Sequence, residues 1–252
     1  MSGGWLIIAG LGPGADALVT PEVSLALADA TDVVGYIPYV ARIAPREGLH
    51  LHASDNRVER ERAAHALGLA QAGRRVVVVS SGDPGVFAMA AAVFEAVETG
   101  PRGWRNLDIR VLPGITAMLA AAARAGAPLG HDFCAINLSD NLKPWALIET
   151  RLRLAVQADF AMAFYNPRSR ARPEGFARAL DVLRAVCADT RPVIFARAVS
   201  TPDETLRVVP LPEARPEMAD MRTMVIVGSS QTRVLARGRG RGPWVYTPRS
   251  AP

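Results

Sequence analysis

Two glycine-rich stretches carry the first chemical signal. Gly10-Leu11-Gly12-Pro13-Gly14 and Ser80-Ser81-Gly82-Asp83-Pro84-Gly85 each follow a run of apolar residues, the place where open α/β sheets bind ligands. Alternating glycines let the backbone approach a ligand closely and aim N–H groups at it. With Ala15 the first stretch fits a degenerate dinucleotide fingerprint, GxGxxA. The acidic residue expected at the end of the next strand is missing, however, because Val33-Val34-Gly35-Tyr36 holds no carboxylate. Neither stretch has the GxxxxGK-S/T spacing of a P-loop, which excludes that class of nucleotide hydrolase. Asp83 has two readings, a cap for the helix that follows or an acceptor for a ligand hydroxyl or amine. Two more loops complete the set. In Pro113-Gly114-Ile115-Thr116-Ala117, Thr116 either caps a helix or bonds a ligand. Tyr165-Asn166-Pro167-Arg168-Ser169 suits a plain turn as well as a site.

Titratable candidates are few. His131 beside Asp132 is the first choice for a general base, since imidazole titrates near neutral pH and an adjacent carboxylate orients it; the alternative is that both only cap or cross-link. Asp55 and Arg57, in Ser54–Arg57, either anchor a substrate or open a helix. Arg168 and Arg170 suit carboxylate side chains. His50 and His52 fit one strand face, but no third ligand of suitable spacing follows, so no metal is expected. Cys134 and Cys187 are the only cysteines; they sit among apolar neighbours and read as buried thiols, not a disulfide framework.

These loops need a scaffold. The chain has 252 residues, 50% hydrophobic and 21% charged, which suits a globular enzyme and excludes a disordered chain. No apolar run approaches the ~20 residues of a membrane-spanning helix, and residues 1–14 lack the basic and apolar regions of a signal peptide. A cytoplasmic protein is expected. The net charge is +5, and Lys143 is the only lysine among 29 basic residues. Arginine binds carboxylate and phosphate in bidentate fashion. The basic residues are spread along the chain apart from Arg237–Arg241, and no nucleic-acid motif appears. A polyanionic small molecule is therefore preferred over nucleic acid.

Strands are expected at Trp5–Gly10, Asp32–Tyr36, Arg75–Ser80 and Asp108–Leu112, with helices at Pro21–Ala30, Arg60–Ala72 and Pro84–Glu98. Four consecutive valines in the third strand suit a parallel sheet covered on both faces. A boundary falls in the small-residue segment Pro113–Gly126. Beyond it, strands are expected at Phe133–Leu138, Phe160–Tyr165, Val193–Arg197, Leu206–Val209 and Met221–Val227, with helices near Lys143–Gln157 and Gly175–Cys187. The last two strands lack an intervening helix, which predicts a mixed sheet. The expectation is two α/β domains, 1–116 and 117–236, with an active-site cleft between them, and a flexible tail at 237–252.

Gly10–Gly14 with Thr20-Pro21, Ser81–Phe87 (SGDPGVF), Pro113–Ala117 (PGITA) and Met224–Gly228 (MVIVG) together resemble the tetrapyrrole methyltransferases of corrin and sirohaem biosynthesis, over about residues 5 to 235. The resemblance implies S-adenosylmethionine as cofactor and a homodimer. Carried over position by position, it implies cofactor contacts at Pro13, Ser81, Gly82, Asp83, Val86, Thr116, Ala117, Asn166 and Ala198. It turns the first loop, Gly12 included, toward the tetrapyrrole as much as toward the cofactor. Ser54–Arg57, Gly130–Cys134, Leu138–Asp140 and Tyr165–Ser169 narrow it to methyl transfer onto C17 of precorrin-3B with contraction of the macrocycle. The alternatives are the cobalt-containing analogue, cobalt-factor III, or another precorrin carbon; from a different class, a basic nucleic-acid-binding protein.

Overall fold

The computed structural model describes residues 3–56, 58–238 and 240–250. Arg57, an expected substrate contact, lies outside the described residues. The chain divides into two compact units, one ending at Ala117 and the other beginning at Met118.

The first unit alternates strand and helix: β1 (Trp5–Gly10), α1 (Pro21–Asp29), β2 (Asp32–Tyr36), α2 (Ile37–Val40), β3 (His50–Ser54), α3 (Glu59–Gln71), β4 (Arg75–Ser80), α4 (Met89–Thr99) and β5 (Asp108–Leu112). Its strands form one sheet in the order β3-β2-β4-β1-β5, every pairing parallel. The valine run shows why. Val76 and Val78 pack with Leu6, Ile8, Leu67 and Val93 on one face, while Val77 and Val79 pack with Ile7, Ala9 and Val23 on the other. Each such side chain contributes roughly 1.5–3 kcal/mol on full burial. The start of α1 follows its sequence: Thr20 Oγ1 accepts the Val23 N–H at 3.3 Å, with Pro21 in the first turn.

β3 and α4 differ from expectation, and the short α2 was not expected either. β3 forms from His50-Leu51-His52-Ala53-Ser54, an exposed edge strand too poor in apolar residues to announce itself. The helix expected from Pro84 begins only at Met89. Phe87 has φ +53 and Ala88 is extended, and a left-handed residue cannot propagate a right-handed helix. At the start of β2, the buried Asp32 accepts from Arg74 Nε and Thr31 Oγ1 (both 2.7 Å) and meets His52 Nε2 at 2.8 Å. Burial pushes its carboxyl up, but these bonds outweigh burial and hold it below the usual carboxylate range. His52 Nδ1 lies 3.1 Å from His65 Nε2. Among the described residues, no three of His, Cys, Asp and Glu gather to hold a metal ion.

The second unit comprises α5 (Ala117–Ala125), β6 (Gly126–Ala127), β7 (Phe133–Asn137), α6 (Trp145–Gln157), β8 (Ala161–Tyr165), α7 (Gly175–Arg184), β9 (Pro192–Arg197), β10 (Thr205–Pro210), β11 (Thr223–Val227), β12 (Arg233–Leu235) and β13 (Trp244–Tyr246). α6 starts after Pro144, not at Lys143; Pro144 is extended at the N-cap, and a residue before proline is kept out of the helical region. The main sheet runs β10-β9-β11-β8-β7 and is mixed: β7 and β8 are parallel, the other pairs antiparallel. Ile148, Leu152, Phe176, Leu180 and Leu183 cover one face with Phe164, Phe195 and Val225. Cys134 and Cys187 are free thiols packed against this core, and burial pushes both up.

The expected flexible tail is corrected over part of its length. β13 pairs antiparallel with β12 and parallel with β6. Val245 is fully buried, and the Thr247 hydroxyl donates to Pro128 O at 2.6 Å. The alternation Trp244-Val245-Tyr246-Thr247 supplies a strand with one buried side, which the neighbouring glycines and arginines mask in the sequence. No described helix is long and apolar enough to cross a membrane.

Candidate functional site

In the first unit, three strand ends meet through their backbones. Leu11 N–H donates to Ser80 O at 2.8 Å, and Gly12 and Gly82 exchange N–H···O bonds of 3.2 and 2.9 Å, at φ +66 and +64. A Cβ on Gly10 would stand 2.5 Å from Gly82 O and 2.7 Å from Gly114 N; one on Gly114 would collide with Gly82 O. The loops after β1, β4 and β5 therefore form a single close-packed backbone surface at the C-terminal sheet edge. Pro13, Ser81 and Val86 are half-buried on these loops, and Thr116 is buried.

Asp83 acts as the brace of this surface. Its Oδ1 accepts the Gly85 N–H at 2.8 Å and its Oδ2 the Gly114 N–H at 3.1 Å. The capping reading is corrected, since α4 starts well beyond it. Both oxygens already accept from backbone donors, so Asp83 sets loop geometry, the second loop tied to the third. A further support was missed in the sequence. Arg62 is buried on α3 and donates to Ser54 Oγ at 2.8 Å and to Asp55 O at 2.6 Å. Its membership of the stripe Arg62–Ala66–Ala70, at i, i+4 and i+8, was the available signal. Asp55 itself is exposed and turns Oδ1 onto the Asn56 N–H at 2.7 Å, and α3 has no side-chain cap.

The second unit builds its loops with side chains. β7 and β8 end side by side at Asn137 and Tyr165. Asn137 Oδ1 accepts from Ser139 N–H at 2.9 Å and from Asn166 Nδ2 at 3.2 Å. Asn166 sits at φ +50, a conformation asparagine tolerates better than most residues. The Tyr165 hydroxyl accepts the Met118 N–H at 3.3 Å in the first turn of α5. Ala198, just past β9, also has φ +50.

Cations crowd the same strand ends. Arg168 Nε is buried without a hydrogen-bond partner among the described residues, and Arg170 is exposed. Lys143 Nζ donates to Ser139 O at 2.9 Å. Burial, followed by the neighbouring Arg151, pushes its ammonium below the usual value; Arg172 adds to this and Asp140 opposes it. Among the described residues, Lys143, Arg151, Arg168, Arg170 and Arg172 form no ion pair. A buried donor left unmatched is costly, and unpaired cations beside it suit an anionic ligand.

His131 and Asp132 do not join this group. They precede the first residue of β7, whereas Asn137 and Asn166 lie at its far end, roughly 17 Å away at about 3.3 Å per residue. His131 Nδ1 accepts the Asp132 backbone N–H at 2.7 Å, so the neutral ring carries its proton on Nε2. The Asp132 carboxylate is 3.6 Å from Nδ1 and 78% exposed. The expected base and its orienting acid are therefore not brought together with Asn137 and Asn166: the pair stands before the start of β7, with Nδ1 taken by the Asp132 N–H.

Comparison with known proteins adds to this geometry. Residues 6–215 match the family model for Tetrapyrrole (Corrin/Porphyrin) Methylases. A precorrin-3B C(17)-methyltransferase of Sinorhizobium sp. is 53% identical over 246 residues, covering 98% of this chain and 96% of that protein. The crystal structure of the methyltransferase CobJ superposes with a TM-score of 0.92 at 66% identity, covering 97% of this chain and 100% of that one. A uroporphyrin-III C-methyl transferase from Thermus thermophilus, complexed with S-adenosyl homocysteine, shares the fold at 22% identity, with a TM-score of 0.68 and coverage of 89% and 97%.

Proposed function

Given that this chain belongs to the tetrapyrrole methylase family, we propose that it transfers a methyl group from S-adenosylmethionine to C17 of precorrin-3B, with contraction of the macrocycle, in cobalamin biosynthesis. The observation that carries this reading is the 53% identity, over nearly the whole of both chains, to a precorrin-3B C(17)-methyltransferase.

The residues present fit the cofactor. Gly10 and Gly114 let the loops after β1, β4 and β5 close on one another where a Cβ would strike backbone, and half-buried Pro13, Ser81 and Val86 lie on these loops. When bound, S-adenosylmethionine supplies an electrophilic sulfonium methyl, so the protein needs alignment more than a nucleophile. Holding the reacting atoms at contact distance supplies effective molarity. Pro13, Ser81, Gly82, Val86, Thr116, Ala117, Asn166 and Ala198 would hold the cofactor, with Asp83 fixing the loops that carry several of them. Gly12 and Asp55 are assigned to the substrate side. The acetate and propionate carboxylates of a tetrapyrrole match Arg168, Arg170, Arg172 and Lys143, and the unpartnered Arg168 Nε is the donor best placed to gain from one.

The test is anaerobic incubation of the protein with S-adenosylmethionine and precorrin-3B, followed by absorbance and product mass. A gain of one methyl with a ring-contracted chromophore is expected. Turnover of cobalt-factor III in place of precorrin-3B would move the assignment to the cobalt-containing substrate, and turnover of neither would remove C17 chemistry.

A further inference from the structure

The loop after β9 is held in an unusual shape by backbone bonds, the Thr201 hydroxyl and one carboxylate. Ala198 and Ser200 have φ +50 and +64, two non-glycine residues in left-handed backbone within three positions. Such conformations persist only where the surroundings over-determine them. The determinants here are local. Ala198 N–H donates to Arg222 O at 2.8 Å, and Ala198 O accepts from Thr201 N–H at 3.1 Å and Thr201 Oγ1 at 2.8 Å. Ser200 N–H donates to Glu204 Oε2 at 2.6 Å, a short charge-assisted bond. Glu204 is itself held by Arg124 Nε at 3.0 Å. Arg124 lies in the last turn of α5, the helix that begins at Ala117.

We propose that Glu204 is a positioning residue for the cofactor. It fixes the turn that presents Ala198, and through Arg124 it sets that turn against the helix whose first residue is Ala117. This rests on the reading that Ala198, Thr116 and Ala117 contact S-adenosylmethionine. Glu204 touches neither cofactor nor substrate; it acts by removing alternative shapes of the loop. A mobile loop binds with an ordering cost, and a preset one binds without it.

The experiment is calorimetric binding of S-adenosylmethionine to the full chain, alongside steady-state kinetics, for wild type, Glu204→Gln, Glu204→Ala and Arg124→Met. Wild type binds the cofactor. Glu204→Ala weakens binding and raises the cofactor KM by about tenfold, with kcat within about twofold. Glu204→Gln, which keeps an acceptor for the Ser200 N–H, recovers most of the loss, and Arg124→Met shows an intermediate effect. A purely structural Glu204 would lower the melting temperature and leave the KM unmoved, and that result overturns the proposal. If Glu204→Ala does not fold, Arg124→Met and Glu204→Gln decide: cofactor binding by both equal to wild type overturns it. Wild type that takes up no S-adenosylmethionine overturns the methyltransferase reading, and the proposal with it.

Discussion

The two units reach loop order by opposite means. In the first, glycines bring three strand ends so close that backbone meets backbone, and one carboxylate, Asp83, ties two loops together. In the second, Asn137, Asn166, Tyr165 and Glu204 fix the loops through side-chain bonds, and Asn166, Ala198 and Ser200 sit in left-handed backbone without being glycine. A backbone-built surface tolerates no added atom. A side-chain-built one tolerates changes of backbone residue and depends on its clamps.

That contrast predicts unequal responses to similar changes. The largest effect belongs to Gly114→Ala, whose methyl strikes Gly82 O and stands 2.8 Å from Gly10 O. Overpacking costs about 1–3 kcal/mol, and backbone on both sides puts this at the upper end; denaturant unfolding checks it, with loss of cofactor binding in parallel. Asp32→Asn comes next, at about 2 kcal/mol, because a hydrogen bond to a charged partner is lost from a buried site. Its pH dependence has a definite sign. The folded-state carboxyl lies below its unfolded value, so its stabilisation is complete above the unfolded pKa of about 3.9 and is lost as pH falls through the lower, folded one. Thermal melting of wild type should therefore decline on acidification below about pH 4, and Asp32→Asn should flatten that decline. In the second unit, Ala198→Gly exchanges left-handed strain of about 1–2 kcal/mol for the larger backbone entropy of glycine, about 0.5–1 kcal/mol. Its stability should stay within about 1 kcal/mol of wild type, and a loss as large as that of Gly114→Ala would erase the contrast. The smallest effect is expected for His131→Asn, which keeps an acceptor for the Asp132 N–H: kcat within about threefold of wild type in the methylation assay.

Much of the first unit was legible because its signals are local. The valine run states a two-faced parallel strand, and Thr20-Pro21 states a helix start. The delayed start of α4 was hidden because Ala88 to Thr99 reads as good helix; the break comes from Phe87, whose left-handed backbone no local rule demands. β3 was hidden by its place at the sheet edge, where His50 and His52 need no apolar company. The site loops were recognisable as glycine-rich, but the role of Asp83 was not, since Gly114 lies 31 positions away. His131 shows a different limit. Sequence shows that a histidine and an aspartate adjoin a strand; which end of the sheet they occupy follows from the direction of β7 relative to β8. Lys143, Arg151 and Arg172 come together only when two parallel strands end side by side.

The pairing of β13 with β6 has a consequence for the order in which the chain is made. The first unit needs nothing beyond Leu112 to complete its sheet, so it can close while the second is still being translated. Thr247 bonds Pro128 across 119 positions, which leaves the segment just after α5 without its neighbouring strand until Trp244–Tyr246 has left the ribosome. Contacts of such long range are slow to form, and an unpaired strand is sticky while it waits. The nascent chain is thus exposed to misassembly while the residues between α5 and β13 are being made, and at Gly126–Pro128 rather than in the glycine loops.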